Sequence, residues 1–249
     1  MKDVIPKHFR LFRHFWHFEP YFSLAFLLKI PYTVCIPKQY FDHNSMHISW
    51  LGGTSIKIQT KYADSDVTVL IDPYKYDKGA FPRSLTADVV LLTRGSEELI
   101  TLSGDPFTLD TPGEIDSKGV LVTSVAGHTE NSTMLRIDCE GVSMAHLGLI
   151  TEPLTSDQLE ILSGVDIVFI PVGNKNGFGI ENATKTINSL EPRIIIPIAF
   201  QSDNDPDASS PDSFIRGLGL QMPAEEKKVI IKKKDLPEEE TKVILFGKE

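Results

Sequence analysis

Seven short apolar runs follow one another between residues 47 and 148, and this succession most constrains the fold. The first four are HISWL, SIKIQT, VTVLID and DVVLLT, and the next three are GVLVTSVAG, TMLRID and GVSMAHLG. Their apolar positions alternate or run continuously, and turn residues separate them, which is typical of strands. The two groups predict two sheets that face one another.

From residue 155 onward the pattern alternates between helix and strand. TSDQLEILSG has Thr155 at its start and Gln158 three residues later, which predicts a capped helix that stops at Gly164. The strand DIVFIPVG, the helix IENATKTINSLE and the strand RIIIPIAF follow, as in a βαβ unit. A short helix over 213–218 and a hairpin within KKVIIKKKDLPEEETKVILF complete the prediction of one α/β domain over residues 46–249.

Charge and cysteine content exclude several classes of function. The net charge of -9 at pH 7 disfavours binding to a phosphate backbone, so nucleic acid is not an expected partner. Cys35 and Cys139 are the only cysteines, and their spacing suits neither a zinc knuckle nor a CxxC redox site. We therefore expect a protein of the reducing cytoplasm.

Residues 1–45 differ in kind from the rest of the chain. They hold six basic and three acidic residues and 11 of the 22 aromatic residues. Lys29 interrupts the apolar run that a signal peptide would need, and no run approaches the ~20 apolar residues of a membrane span. We expect an extension outside the fold or a start site placed too far upstream; a helix that docks on a membrane surface or partner is the alternative.

Five segments resemble landmarks of the metallo-β-lactamase superfamily, in the same order, over residues 46–246. They are ISWLGGTSIKIQT, VLIDP, ADVVLLTRGS, DIVFIPVG and LEPRIIIPIAF. Within the superfamily they are most similar to the branch that contains the bacterial ascorbate-6-phosphate lactonase. The resemblance implies a four-layer αββα sandwich and, in ordinary members, a zinc-dependent hydrolase.

The same resemblance identifies where the zinc ligands would stand. Family members carry a His-x-His-x-Asp-His motif after the strand equivalent to VVLLT, and zinc held there lowers the pKa of a bound water to about 7. Residues 94–99 take these positions and read RGSEEL, so only Glu98 keeps a carboxylate. The next family histidine falls on His128, the bridging aspartate on Leu149 and the last histidine on Ala199. One of seven ligand positions is therefore retained.

The substituted ligand positions predict a non-hydrolytic module that binds a ligand or a partner and needs no metal cofactor. Its predicted ligand-binding residues, in the former metal cleft, are Arg94, Ser96, Glu98 and His128. Arg94, with His128, would bind a small anionic group such as phosphate or carboxylate. Alternatively, Arg94 forms a purely structural ion pair with Glu97 or Glu98.

Two catalytic alternatives stay open at this point. The first is a zinc-dependent hydrolase of small phosphorylated or lactone-like substrates, with a rearranged site of His128, Glu98, His146 and Asp72. In the absence of metal chemistry, Asp72 would orient the loop that follows its strand. The second alternative is a nucleophilic Ser96 or Cys139, which the lack of a G-x-S-x-G elbow and of an assignable base disfavours.

Overall fold

A computed structural model describes residues 45–173 and 178–249 of the chain. The strands are β1 (Met46–Gly52), β2 (Ser55–Tyr62), β3 (Ser65–Ile71), β4 (Ser84–Thr86), β5 (Val89–Leu91), β6 (Thr101–Ser103), β7 (Phe107–Leu109), β8 (Gly113–Ser117), β9 (Val120–Ala126), β10 (Thr133–Cys139), β11 (Val142–His146), β12 (Ile167–Pro171), β13 (Ile194–Ile198), β14 (Glu225–Glu226), β15 (Lys228–Ile231), β16 (Lys242–Val243) and β17 (Leu245–Phe246). The α-helices are α1 (Ser156–Leu162), α2 (Ile180–Leu190) and α3 (Asp212–Gly217).

Two large sheets form the centre of the fold, as the two groups of apolar runs predict. The first has the strand order β15-β1-β2-β3-β5-β7, and the second has the order β16-β13-β12-β11-β10-β9-β8. Each sheet joins antiparallel hairpins to parallel strands, with β3, β5 and β7 parallel in one and β11, β12, β13 and β16 parallel in the other. The predicted βαβ alternation after residue 155 is confirmed by the second sheet.

The main core lies between the two sheets. Alternate residues of each strand point inward, such as Ile48 and Ile58 from the first sheet and Ile137 and Phe169 from the second. All four side chains are almost fully buried. This period of two explains why the strands were visible in the sequence.

The outer faces of the two sheets are covered differently. Helix α2 places Ala183, Ile187 and Leu190 against the outer face of the second sheet. On the first sheet, the segments on either side of β5, residues 73–86 and 92–103, cover the outer face, and the small sheet of β4 and β6 lies within them. In the part of the chain that the structure describes, these two segments contain no α-helix.

The predicted cap of α1 is confirmed. Thr155 accepts a hydrogen bond from the Gln158 N–H, and the Gln158 side chain accepts one from the Thr155 N–H. Such a capping box satisfies two backbone donors that the first helical turn leaves free.

The predicted C-terminal hairpin is wrong. β15 pairs with β1 in the first sheet, whereas β16 pairs with β13 in the second. The charged segment between them crosses from one sheet to the other and places Leu236, which is 5% exposed, in the core at the sandwich edge. Strand signals were correct there, but local sequence carries no information about which sheet edge a strand joins.

The predicted N-terminal extension, residues 1–45, lies outside the described residues except for its last position, and it stays a prediction. Among the helices described, none is both long and apolar enough to cross a membrane.

Candidate active site

Four loops and one hairpin meet at one end of the sandwich, where the resemblance places the metal cleft. Thr93, after β5, accepts a hydrogen bond from the Thr133 N–H at its carbonyl oxygen. Gly148, after β11, packs closely on the Thr93 side chain. Ala199, after β13, donates its N–H to the Gly53 carbonyl oxygen of the β1–β2 hairpin, with an N···O distance of 2.8 Å. These contacts join the loop that carries Arg94 to the loops before β10 and after β11, and they join the Ala199 loop to the β1–β2 hairpin.

Asp72 follows β3 and is completely buried. One of its carboxylate oxygens accepts the Thr93 N–H at 2.7 Å, and the other accepts the Thr93 hydroxyl at 2.6 Å. The residue has a φ of 50°, a left-handed conformation that aspartate tolerates better than most residues. Asp72 thus orients the start of the loop after β5, which carries Arg94, whereas the sequence predicts that it orients the loop after its own strand.

Arg94 stacks on Tyr74. Its guanidinium carbon lies 4.1 Å from the centroid of the Tyr74 ring, which is a cation–π distance. The Tyr74 hydroxyl donates to the Gly95 carbonyl oxygen at 2.9 Å and accepts the Arg94 N–H at 3.1 Å. Burial, and next the charge of Asp72, raise the pKa of Tyr74 well above its ordinary value, so the phenol stays neutral.

The ion pair expected as an alternative for Arg94 is not formed. Neither Glu97 nor Glu98 is among the ion-pair partners within the described ranges, and both are exposed. The loop is held by its backbone instead, because Lys75 donates its N–H to the Glu98 carbonyl oxygen at 2.7 Å. Ser96 is exposed on the same loop. The guanidinium charge therefore stays at the surface of this loop.

Tyr76 occupies space beside the β1–β2 hairpin. Its hydroxyl donates to the Gly52 carbonyl oxygen at 3.1 Å, and a Cβ placed on Gly53 would overlap that hydroxyl. Burial raises the pKa of Tyr76, while the nearby Arg94 charge acts in the opposite direction. The sequence reasoning missed Tyr74 and Tyr76, although their alternate positions directly after VLIDP were a usable signal.

His146, at the end of β11, is fully buried and has both ring nitrogens occupied. Its Nε2 lies 3.0 Å from the Thr54 carbonyl oxygen, and its Nδ1 accepts the Gly148 N–H at 3.2 Å. The carbonyl partner requires the proton on Nε2. Burial lowers the pKa of His146, so the ring is neutral and structural. As a metal ligand the ring would have to give up one of these two hydrogen bonds, and its place in a rearranged metal site stays a prediction.

His128 is half-buried and is held by the capping glutamine. Its Nε2 lies 3.1 Å from the Oε1 of Gln158, whose amide nitrogen donates to the Ala126 carbonyl oxygen. This orientation makes the Gln158 oxygen an acceptor, so the His128 proton sits on Nε2. Within the described ranges the buried Nδ1 has no hydrogen-bond partner.

Apolar residues stand at the other two positions where the family has metal ligands, and one is partly exposed while the other has a positive φ. Leu149 is 40% exposed. Ala199 has a φ of 51°, a left-handed conformation that costs an L-residue with a Cβ about 1–2 kcal/mol. The backbone at Ala199 thus keeps a strained shape while its side chain offers no donor atom.

The zinc site that the resemblance implies does not fit these residues. The carboxylate oxygens of Asp72 accept hydrogen bonds from Thr93, and the ring nitrogens of His146 contact Thr54 and Gly148. His128 and the exposed Glu98 are the other two candidate metal ligands. Over residues 45–173 and 178–249 there is no group of three histidine, cysteine, aspartate or glutamate side chains that could hold a metal ion. A catalytic zinc needs about three protein ligands.

Other chemical candidates lie elsewhere. Cys139 is buried on β10, and burial raises the pKa of its thiol to about 11, which opposes a nucleophilic role. A cavity of about 440 Å³ lies between the edges of the two sheets and is lined by residues such as Ile231, Leu236 and Val243. None of the predicted site residues lines it.

Comparison with known proteins identifies the family. A sequence profile of the β-lactamase superfamily domain matches residues 47–199. A Thermotoga maritima protein classed as a Zn-dependent hydrolase of the metallo-β-lactamase superfamily is 22% identical, with a TM-score of 0.65 over 81% of this chain and 100% of that one. Igni18, a metallo hydrolase from Ignicoccus hospitalis, is 15% identical, with a TM-score of 0.56 over 76% and 99%. No curated protein matches.

These comparisons confirm the αββα sandwich fold but leave the branch as a prediction, since identities this low establish the fold alone. The family profile covers more than half of the chain and includes Asp72, Arg94 and His146. The chain therefore belongs to the metallo-β-lactamase superfamily.

Proposed function

We propose that this chain is a non-hydrolytic member of the superfamily that works without a metal, as a ligand-binding or interaction module of the cytoplasm. The observation that carries the proposal is Arg94, whose guanidinium is stacked on Tyr74 at the position of the family's first ligand. A guanidinium is charged at every relevant pH. Arginine at this position supplies no metal-binding atom, and its positive charge repels a divalent metal ion.

The side-chain atoms that could bind a metal support the same proposal. Both carboxylate oxygens of Asp72 and both ring nitrogens of His146 are engaged in hydrogen bonds with the fold. Recruiting the His146 Nδ1 to a metal would leave the buried Gly148 N–H unpaired, which costs about 1–3 kcal/mol, and turning the buried Asp72 carboxylate toward a metal would break its bonds to Thr93. His128 and Glu98 are then the remaining donors, one short of a catalytic set.

A zinc-dependent hydrolase of phosphorylated or lactone-like small molecules is the second candidate. Relatives of similar fold are named as hydrolases, and the His128 Nδ1 has a lone pair without a partner in the described part of the chain. This candidate requires Glu98 and His128 to bind one metal ion together with a third protein ligand.

Metal content separates the two candidates. The protein is purified without chelator, incubated with zinc, desalted and subjected to elemental analysis, together with His128→Ala and the control His47→Ala, which changes a histidine on β1. We expect zinc well below one ion per chain in all three proteins. Near-stoichiometric zinc that His128→Ala abolishes and His47→Ala retains would overturn the proposal. Circular dichroism checks that each variant is folded.

A further inference from the structure

The Arg94 guanidinium has hydrogen-bonding capacity that the described structure leaves unspent. Arg136 donates to Asp138 and to two backbone carbonyl oxygens, and Arg193 pairs with Asp166. Arg94, in contrast, has only the Tyr74 ring as a side-chain partner within the described ranges. A guanidinium carries five N–H donors in a planar fork.

We propose that Arg94 binds the oxyanion group of a small-molecule ligand, a phosphate or a carboxylate, at the mouth of the former metal cleft. This inference rests on the metal-independent function proposed above and names the ligand class of that site. The planar fork matches two oxygens of either group, which a spherical anion such as chloride cannot offer.

The guanidinium is pre-organised for this contact. The Tyr74 ring beneath it is 1% exposed, and the Tyr74 hydroxyl holds the backbone of both Arg94 and Gly95. Asp72 fixes the residue before Arg94 through two hydrogen bonds to Thr93. An arginine held in this way loses less side-chain freedom when a ligand binds than a free surface arginine does.

A second unspent donor lies in the same cluster. The Thr54 hydroxyl belongs to a residue that is 2% exposed, and it has no partner in the part of the chain described. Tyr76 contacts the same hairpin at the Gly52 carbonyl oxygen and lies two residues after Tyr74, on which Arg94 stacks, so the segment 74–76 joins the hairpin to the Arg94 side chain. A buried unpaired hydroxyl is costly, and a ligand oxygen would satisfy it.

Acidic residues near Arg94 limit its expected affinity for an anion. The Asp72 charge is buried and already bound by Thr93, whereas Glu97 and Glu98 are exposed on the same loop as Arg94. These two carboxylates oppose an incoming anion, so binding should be weak for a bare ion and should decrease as salt screens the guanidinium.

Titrations of ¹⁵N-labelled protein with inorganic phosphate and, separately, with citrate test the proposal. Chloride keeps the ionic strength constant, and NMR follows the arginine Nε–H signals together with the backbone N–H signals of residues 93–98, which also report binding by the Arg94 variants. Arg94→Met removes the donors while keeping an unbranched apolar stem, and Arg94→Lys keeps the charge without the fork. Arg83→Met is the control for charge alone, because Arg83 is exposed in a neighbouring loop.

We expect NMR chemical-shift changes that saturate with phosphate, with citrate or with both. The anion that produces them shows whether the site binds a phosphate or a carboxylate group. The dissociation constant should rise at least about tenfold in Arg94→Met and in Arg94→Lys, since a point charge loses the bidentate contact, and stay unchanged in Arg83→Met. Lack of saturation with both probes, or equal binding by Arg94→Met, would overturn the inference while leaving the metal-independent function intact. Binding that appears only after zinc is added would overturn both.

Discussion

Thr93 gives both of its hydrogen-bond donors to the carboxylate of Asp72, its N–H to one oxygen and its hydroxyl to the other. The pair joins the end of β3 to the loop after β5 and is fully buried. In this superfamily member the Asp72 carboxylate therefore fixes the start of the loop that carries Arg94.

Thr93→Val should reduce the free energy of unfolding by about 2 kcal/mol, because one oxygen of a buried carboxylate loses its partner. Asp72→Asn should also lower the free energy of unfolding, since the Thr93 hydroxyl must turn to accept from the amide nitrogen and its own proton then loses its partner; asparagine tolerates the φ of 50° at this position. Urea denaturation measures both variants. Thr68→Val on the half-buried face of β3 is the control, and a loss for Thr93→Val no larger than for the control would contradict this role.

His146 predicts a loss of stability in mild acid. Burial lowers the pKa of His146 in the folded state, whereas the unfolded ring titrates near 6.5. Below about pH 6.5 the unfolded state therefore binds one more proton, and stability falls as the pH decreases, by up to about 1.4 kcal/mol per unit. This contribution is fully present above that pH.

His146→Gln tests the linkage, because glutamine can both donate and accept but does not titrate. The variant should show a shallower decrease in unfolding free energy between about pH 6.5 and 5 than the wild type. NMR of the wild type should show that the folded His146 ring gains its proton at a lower pH than the ring of the unfolded chain. Identical slopes for the two proteins would contradict the prediction.

Gln158 links α1 to the site and should matter more than an ordinary cap. Its side chain accepts the Thr155 N–H, donates to the Ala126 carbonyl oxygen and holds the His128 ring. Thr155→Ala, which removes one cap contact, should cost about 1 kcal/mol. Gln158→Ala should cost about 2–3 kcal/mol, since it leaves several groups unpaired.

Chemical denaturation compares these two variants with Gln221→Ala, a change at an exposed loop position. The control should stay within about 0.5 kcal/mol of the wild type. If Gln158→Ala costs no more than Thr155→Ala, the contacts to Ala126 and His128 contribute nothing to stability.

The sequence predicts most strands because their apolar residues alternate with a period of two. It predicts α1 because the two capping residues, Thr155 and Gln158, lie within four positions of the sequence. It fails where partners are distant. The Tyr74 and Arg94 stack joins residues 20 positions apart, and the His146 contact to Thr54 spans 92 positions. The residue types at positions 94–99 can be compared with the family motif in the sequence alone, but the hydrogen-bond partners of Asp72 and His146 cannot be predicted from it.

The packing of Gly53 under Tyr76 gives a prediction that isolates a steric effect. Gly53 has a φ of 53°, and an added Cβ would overlap the Tyr76 hydroxyl and ring edge. Gly53→Ala should therefore cost more than the about 1–2 kcal/mol expected for a left-handed conformation alone. Gly164→Ala is the matched control, because Gly164 has a φ of 69° and nothing within 4 Å of its added Cβ.

A double-mutant cycle with Tyr76→Phe separates the two causes. Phenylalanine removes the hydroxyl oxygen that the Cβ would meet first, so Gly53→Ala should cost less in the Tyr76→Phe background than in the wild type. Urea denaturation of the four proteins gives the coupling energy, which we expect to exceed about 0.5 kcal/mol. If the two changes are additive, Tyr76 does not press on the hairpin, and its placement against the β1–β2 turn is wrong.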